Sequence, residues 1–385
     1  MMPQRPLRMP CAKHTTRTQA KLRCNMSRRN KDIALDLYTG DGWVNIPAVA
    51  ALGCWCNIII GKRQVGKTFG TLKYMLDENK YFLYMRRTVN ELQAVAADPD
   101  LNPFNALQSV GYDIGILKAG KISYAIGDIE YTDEEDKDGR KKWHIGNKRA
   151  VGMALPSIAG IRGFNGNVFS DLVFDEFIPE RIIAKRKAEG EALLNAYVTV
   201  CGNRELEGKP PLRMWLLANA FDISSPILEQ LGCTDLVAKM SRSGKEWCMT
   251  ETGVFIAMPH SDRISDRRKQ TALMKHLAGK GDFYKMAMEN QFVYNNLENV
   301  RPRSLKGMTP LFAFAGLYAY QMDELHYYIC ESPHSGREHY GSSPQAATQL
   351  QAVHPELRPM ICLGQVDFSS VPALLKVKAY LDIKD

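Results

Sequence analysis

Short apolar runs alternate with helical patterns along most of the chain. Residues 57–60, 81–85, 172–174, 214–218 and 254–258 are apolar at nearly every position and of strand length. A strand with one solvated face alternates polar and apolar residues; a strand buried on both faces does not. Between the first two runs, Leu72, Met75 and Leu76 fall at helical packing spacing. The alternation predicts an α/β fold with a parallel sheet covered on both faces. Residues 121–155 differ, because 122–129 and 143–145 read as strands around a charged Asp-Gly tip at 132–139. That pattern predicts a hairpin with a solvated loop. Farther on, 311–321 and 326–330 read as strands, 332–350 is rich in Gly, Ser, Pro and Gln, and a last strand at 360–363 precedes a helical end at 371–381. The expected organisation is a tail at 1–33, an α/β domain at 34–260, a polar linker at 261–307 and a small α+β domain at 308–385.

Composition narrows the class. At 385 residues, 45% apolar and 24% charged, the chain has the balance of a globular protein with more than one core. The formal net charge is +8, but residues 1–31 hold nine Lys and Arg and no acid, so the remainder nets −1. This Arg-rich tail cannot bury enough apolar surface to fold alone. It reads as disordered, as resembling a transit peptide, or as sequence upstream of a start at Met26, and it lacks the apolar run of a secretory signal. A second basic concentration lies at 261–307, with ten Lys and Arg against five acids. The nine cysteines are scattered without a CxxC pair, and Cys54 and Cys56 lack neighbouring zinc partners, so reduced thiols are expected. No apolar stretch approaches the ~20 residues that cross a bilayer.

The candidate chemistry begins at Gly61-Lys62-Arg63-Gln64-Val65-Gly66-Lys67-Thr68, a complete G-x-x-x-x-G-K-[ST] run between a strand and a helix. Such a loop turns its amides and the helix N-terminus toward phosphate. Lys67 reaches β/γ oxygens of ATP, and Thr68 can ligate Mg²⁺. The apolar strand at 172–174 ends in Asp175 and Glu176. Asp175 is suited to Mg²⁺, and Glu176 to polarising the attacking water. A small-molecule kinase does not need that glutamate, so the pair favours a hydrolysing motor. The strand at 214–218 ends in Asn219, where a hydrogen bond to a γ-phosphate would sense it.

These residues, together with Tyr84-Met85-Arg86-Arg87, Val173-Phe174-Asp175-Glu176-Phe177-Ile178, Asn203-Arg204-Glu205, Leu217-Ala218-Asn219-Ala220 and Glu289-Asn290-Gln291-Phe292, resemble the DNA-encapsidation ATPases of short-tailed phages with protein-primed genomes. The resemblance implies an additional-strand (ASCE) P-loop ATPase domain and a degenerate RNase H-like C-terminal domain. It implies a homo-oligomeric ring in the host cytoplasm that docks on the portal of an empty capsid and drives double-stranded DNA inward. A structural packaging RNA is a possible further partner, and no membrane is involved. One departure stands out: where the family carries the first arginine of Arg-Asn-Arg-Glu, a candidate finger into a neighbour's site, this chain has Gly202. Arg204 and Arg162 are the replacements considered, and Arg86 and Arg87 could contact nucleotide or neighbour.

An active RNase H-like site needs several carboxylates around two metals. The strand at 311–318 has none, and only Glu331 and Asp367 follow nearby strands, so no nuclease activity is expected. Arg267, Arg268 and Lys269 are candidates for contacting DNA or RNA phosphates. Two other readings compete: a plasmid or cellular P-loop translocase or helicase, and a P-loop scaffold that has lost hydrolysis. The first lacks aromatic-rich single-strand motifs, and the second is at odds with the presence of Lys67, Thr68, Asp175 and Glu176.

Overall fold

The computed structural model describes residues 34–383 except 63, 136, 138, 140, 160–165, 180–187, 221–222, 278–296, 298, 324 and 334–337, with the side chains of Ala159 and Arg268 also outside the description. Arg63, Arg162, residues 289–292 and the basic tail therefore lie outside the described residues.

Nine strands form the larger sheet: β1 (Cys56–Gly61), β2 (Phe82–Arg86), β3 (Ile114–Lys118), β4 (Ser123–Glu135), β5 (Lys141–Ala154), β6 (Asp171–Asp175), β7 (Arg213–Asn219), β8 (Trp247–Met249) and β9 (Val254–Ala257). Their order is β3-β4-β5-β2-β6-β7-β1-β9-β8. The six strands from β5 to β9 in that order run parallel, and β3, β4 and β8 join antiparallel at the two edges. Burial follows the period-2 rule for side chains. Ile58, Leu172, Phe174, Met214 and Leu216 enter one apolar cluster. Ile59, Val173, Trp215 and Leu217 enter the cluster on the other face. The near-continuous apolar runs are thus strands with two buried faces.

β7 separates β1 from β6, so the strand ending in Asn219 lies between the P-loop strand and the Asp-Glu strand. This is the ASCE arrangement, and it brings three strand ends to one edge of the sheet.

The hairpin expected around 132–139 is present as β4 and β5. β5 also runs on, with Ala150–Ala154 pairing in parallel with β2, so the hairpin is part of the main sheet.

Five further strands, β10 (Thr309–Phe314), β11 (Leu317–Asp323), β12 (His326–Cys330), β13 (Glu338–Tyr340) and β14 (Val366–Phe368), make a second sheet in the order β13-β10-β11-β12-β14. Two readings are corrected here. Residues 311–321 are two strands, turned at Ala315 and Gly316 with φ of 48° and 75°. Both central residues being left-handed matches a two-residue hairpin turn, but alanine gives no sequence signal for it. Residues 360–363 belong to the helix Leu357–Cys362 and its cap, and the strand follows Gly364. A four-residue apolar run carries no period that separates strand from helix. The segment 332–350 also contains the start of a helix, Pro344–Val353, capped by Ser343. The second sheet packs into the same apolar cluster as one face of the first, through Phe312, Phe314, Val366 and Phe368. No helix among the described residues is long and apolar enough to cross a membrane.

Candidate active site

β1 ends at Gly61 opposite Asn219 in the register of β7, and Asp175 of β6 lies opposite Leu217. The loop after β1 needs left-handed backbone at Gln64 (φ 62°) and Gly66 (φ 82°) before the helix Lys67–Asp77 begins. At Gly66 there is a second demand for glycine, because a Cβ would come within 3.2 Å of the Trp43 ring.

Lys67 is buried and its Nζ donates to the carbonyls of Gly61 (3.1 Å) and Lys62 (2.6 Å) and to Asn219 Oδ1 (3.1 Å). Thr68 Oγ1 donates to Asp175 Oδ1 at 2.8 Å. Lys67, Thr68, Asp175, Glu176, Gln64, Gly66, Phe69, Ala218 and Asn219 line one cleft of about 410 Å³. Three motifs far apart in sequence therefore meet in one cavity.

The two carboxylates differ. Asp175 is 4% exposed. Burial raises its pKa above the ordinary aspartate value, Glu176 adds to the rise, and Arg86, Thr68 and Lys67 oppose it. The Glu176 side chain is 55% exposed, and its backbone sits at φ 57°, a region costly for a residue with a long side chain. The strained turn places Glu176 at the mouth of the cleft, directly after the strand that buries Asp175.

Arg86, at the end of β2, spans both. It donates to Asp175 Oδ2 at 3.1 Å and to Glu176 Oε2 at 2.7 Å. Burial disfavours its charge, yet Tyr84, Asp175 and Glu176 together hold its pKa above the usual guanidinium value. Tyr84 donates to Asp175 Oδ2 at 3.3 Å. Arg87 points elsewhere: it is 2% exposed and pairs with Glu189 (3.0 Å) and Glu91 (3.4 Å). Sequence reading placed Arg86 near the site but gave no sign that it binds its own subunit's carboxylates.

A second, largely apolar cleft of about 620 Å³ adjoins the first. The two share Gln64, Gly66 and Phe69, and Trp43, Asn45, Lys73 and Tyr74 line the new one. Trp43 escaped the sequence reading because it belongs to no motif and precedes the P-loop by a whole helix.

Other candidate residues lie apart. Arg204 does not line the cleft: it is 7% exposed and its guanidinium donates to the Phe169 carbonyl. In this arrangement the guanidinium is engaged within its own subunit. Arg267 and Lys269 are exposed on the helix Asp262–Lys269, where Lys269 pairs with Asp266 at 2.8 Å. Asp367, in β14, is 4% exposed and bound by Arg301 (3.2 Å) and Arg303. Cys54 and Cys56 are free buried thiols. Among the described residues, no three His, Cys, Asp or Glu side chains converge as a metal cluster would require.

No curated protein matches the sequence. Among solved structures, the fold resembles the bacteriophage Phi-29 viral genome packaging motor assembly, with TM-score 0.58 and 20% identity over 88% of this chain and 98% of that one. It also resembles the Phi-28 gp11 DNA packaging motor, with TM-score 0.55 and 16% identity over 90% of this chain and 100% of that one. The model of the Podovirus DNA encapsidation protein (Gp16) family matches residues 49–322. With the P-loop, the inserted strand ending in Asn219 and the Asp-Glu strand all inside that match, the chain belongs to the podovirus DNA encapsidation family.

Proposed function

We propose that this protein is the ATP-hydrolysing subunit of a ring motor that moves double-stranded DNA through the portal into an empty capsid. The observation that carries the reading is the meeting of Lys67, Thr68, Asp175, Glu176 and Asn219 in one cleft of a chain from an encapsidation family. The alternative of a plasmid or cellular translocase has no comparable support.

The donor set fits a nucleotide with a hard divalent cation. Oxygens of Thr68 and Asp175 lie 2.8 Å apart beside the helix N-terminus, and the Lys67 amine is beneath the loop. Thr68 and Asp175 would hold Mg²⁺, which when bound neutralises phosphate oxygen charge. Residues 61–68 cradle the phosphates through loop amides, and Lys67 binds the β/γ oxygens. Glu176 orients the attacking water and accepts its proton. Asn219, already bonded to Lys67, reads the terminal phosphate. Arg86 holds both carboxylates in place and balances their charge. The apolar cleft beside the P-loop takes the base, with Trp43 as an aromatic wall. The trans-acting arginine is then Arg162 rather than the buried Arg204.

In this reading, residues 34–260 form the motor domain and 308–385 a nuclease-like domain without nuclease activity, whose Asp367 is committed to two arginines. Arg267, Arg268 and Lys269 between them contact nucleic-acid phosphates. The portal and a packaging RNA are the further partners, and the motor works in the host cytoplasm at the capsid vertex. The decisive experiment is ATP-driven protection of DNA from added nuclease by cognate empty capsids. Protection by the wild type, lost in Glu176→Gln, is expected. DNA left fully digestible beside active ATPase and intact capsids would reject the packaging reading.

A further inference from the structure

The P-loop has a second neighbour behind the phosphate cleft. After β9 the chain runs directly against the loop: a Cβ on Gly61 would come within 3.0 Å of Pro259 Cγ. Ser261, Ile264 and Ser265, at the start of the helix Asp262–Lys269, are buried. Ile264 shares its apolar cluster with Val65 of the loop.

Lys62, the second residue of the P-loop, is 2% exposed. Its Nζ donates to Ser265 Oγ at 2.9 Å and lies 3.5 Å from His260 Nε2. Ser265 Oγ in turn donates to the Ser261 carbonyl at 2.8 Å. At its other end, the Lys62 carbonyl accepts from the catalytic amine of Lys67 at 2.6 Å. One residue thus joins the phosphate-binding amine to the helix that carries Arg267, Arg268 and Lys269. A buried ammonium is costly unless hydrogen-bonded, so the Ser265 contact is expensive to break.

We propose that Ser265 is a positioning residue for the phosphate site, acting through Lys62, and that the same bond reports phosphate occupancy to the helix Asp262–Lys269. The proposal rests on the P-loop reading above. Phosphate oxygens compete with the Gly61 and Lys62 carbonyls for the Lys67 amine. As that donor turns to phosphate, the Lys62 backbone relaxes while its side chain stays tied to the helix. Thermodynamic linkage makes the coupling reciprocal: whatever the basic end of the helix binds alters phosphate affinity by the same factor. Nothing in the P-loop motif requires a lysine at the second position, and its burial against Ser265 is what gives it this role.

The test follows hydrogen exchange of the 262–269 amides in the full-length protein, with and without Mg²⁺ and a non-hydrolysable ATP analogue. A nucleotide-dependent change of about tenfold in exchange rate is expected in the wild type and in Ser265→Thr, which keeps the hydroxyl. Ser265→Ala should lose that response and bind the analogue about three- to tenfold more weakly, with its melting temperature checked alongside. A wild-type helix indifferent to nucleotide overturns the proposal, and so does Ser265→Ala with the full response. The wild-type measurement stands even if the alanine variant does not fold. A helix that responds to nucleotide in a protein whose ATPase ignores duplex DNA supports the link and counts against the packaging reading instead.

Discussion

Arg86 donates to Glu176 Oε2 at 2.7 Å while its other terminal nitrogen holds Asp175 Oδ2 at 3.1 Å. A single cation thereby spans the carboxylate assigned to the metal and the one assigned to water. Its removal leaves two adjacent anions, one of them buried, with their main counter-charge gone. Arg86→Ala should lower kcat at least about tenfold. Arg86→Lys should restore only part of it, because an ammonium has no planar fork to reach both oxygens. Steady-state ATPase kinetics decide; wild-type kcat in the alanine variant would remove Arg86 from the catalytic assembly.

Glu176 is the exposed member of the pair and sits on strained backbone. Glu176→Gln keeps the shape and loses the base. A fall in kcat of about 10²-fold or more, with ATP affinity retained, is expected. Lys67→Ala should instead abolish ATP binding itself. Isothermal titration beside turnover measurements separates the two outcomes, and a glutamine variant that still hydrolyses at the wild-type rate would transfer the base to another residue.

The fold was legible where the physics is local or periodic. Five apolar runs became buried parallel strands because both their faces are covered, and Gly61 to Thr68 carries its own conformational logic in Gly66. Sequence order also placed Asp175 and Asn219 at strand ends. What stayed hidden is what depends on packing across the chain. Arg204 has a neighbour at Phe169 that no pattern announces, so its burial was unreadable. Arg86 looked like any strand-end arginine, and Trp43 like an isolated aromatic. The turn at Ala315-Gly316 was missed because alanine gives no turn signal, and the helix over 357–362 because a short apolar run fits either element.

Trp43 packs against Gly66 and forms a wall of the apolar cleft that continues from the phosphate site. If the base lies there, Trp43→Ala removes stacking surface without touching the reacting atoms. KM for ATP should rise about five- to twentyfold with kcat within about threefold. An unchanged KM would place the base elsewhere.

Asp367 is buried in β14, but its partners Arg301 and Arg303 both reach solvent. Asp367→Ala should cost about 1–2 kcal/mol, less than the loss for a fully buried pair, because the two guanidiniums can rehydrate. Denaturant unfolding measures this. Plasmid incubated with wild type and Mg²⁺ or Mn²⁺ should stay intact. Cutting that disappears in the alanine variant would mean the carboxylate serves a nuclease after all.

Asp235, in the helix Thr234–Ser243, ties that helix to a second one: its Oδ1 accepts from the Val371 amide at 2.7 Å, at the start of the helix Val371–Tyr380. The residue is exposed, yet partial desolvation of its carboxyl raises its pKa above the ordinary aspartate value of 3.8, and the Val371 hydrogen bond offsets only part of the rise. A carboxyl whose folded pKa exceeds its unfolded one binds its proton more tightly in the folded state. Its stabilising contribution is therefore complete below the unfolded pKa and is lost as pH rises through the folded pKa. Asp235→Asn keeps a carbonyl oxygen for the Val371 amide and removes the charge. At neutral pH the variant should melt no lower than wild type, and wild type should gain on it as the pH falls into the carboxylate range. Melting temperatures of both proteins across that range give the answer. A variant that is less stable at neutral pH, with a deficit that grows as pH rises, would show that the ionised carboxylate itself holds the helix Val371–Tyr380 in place.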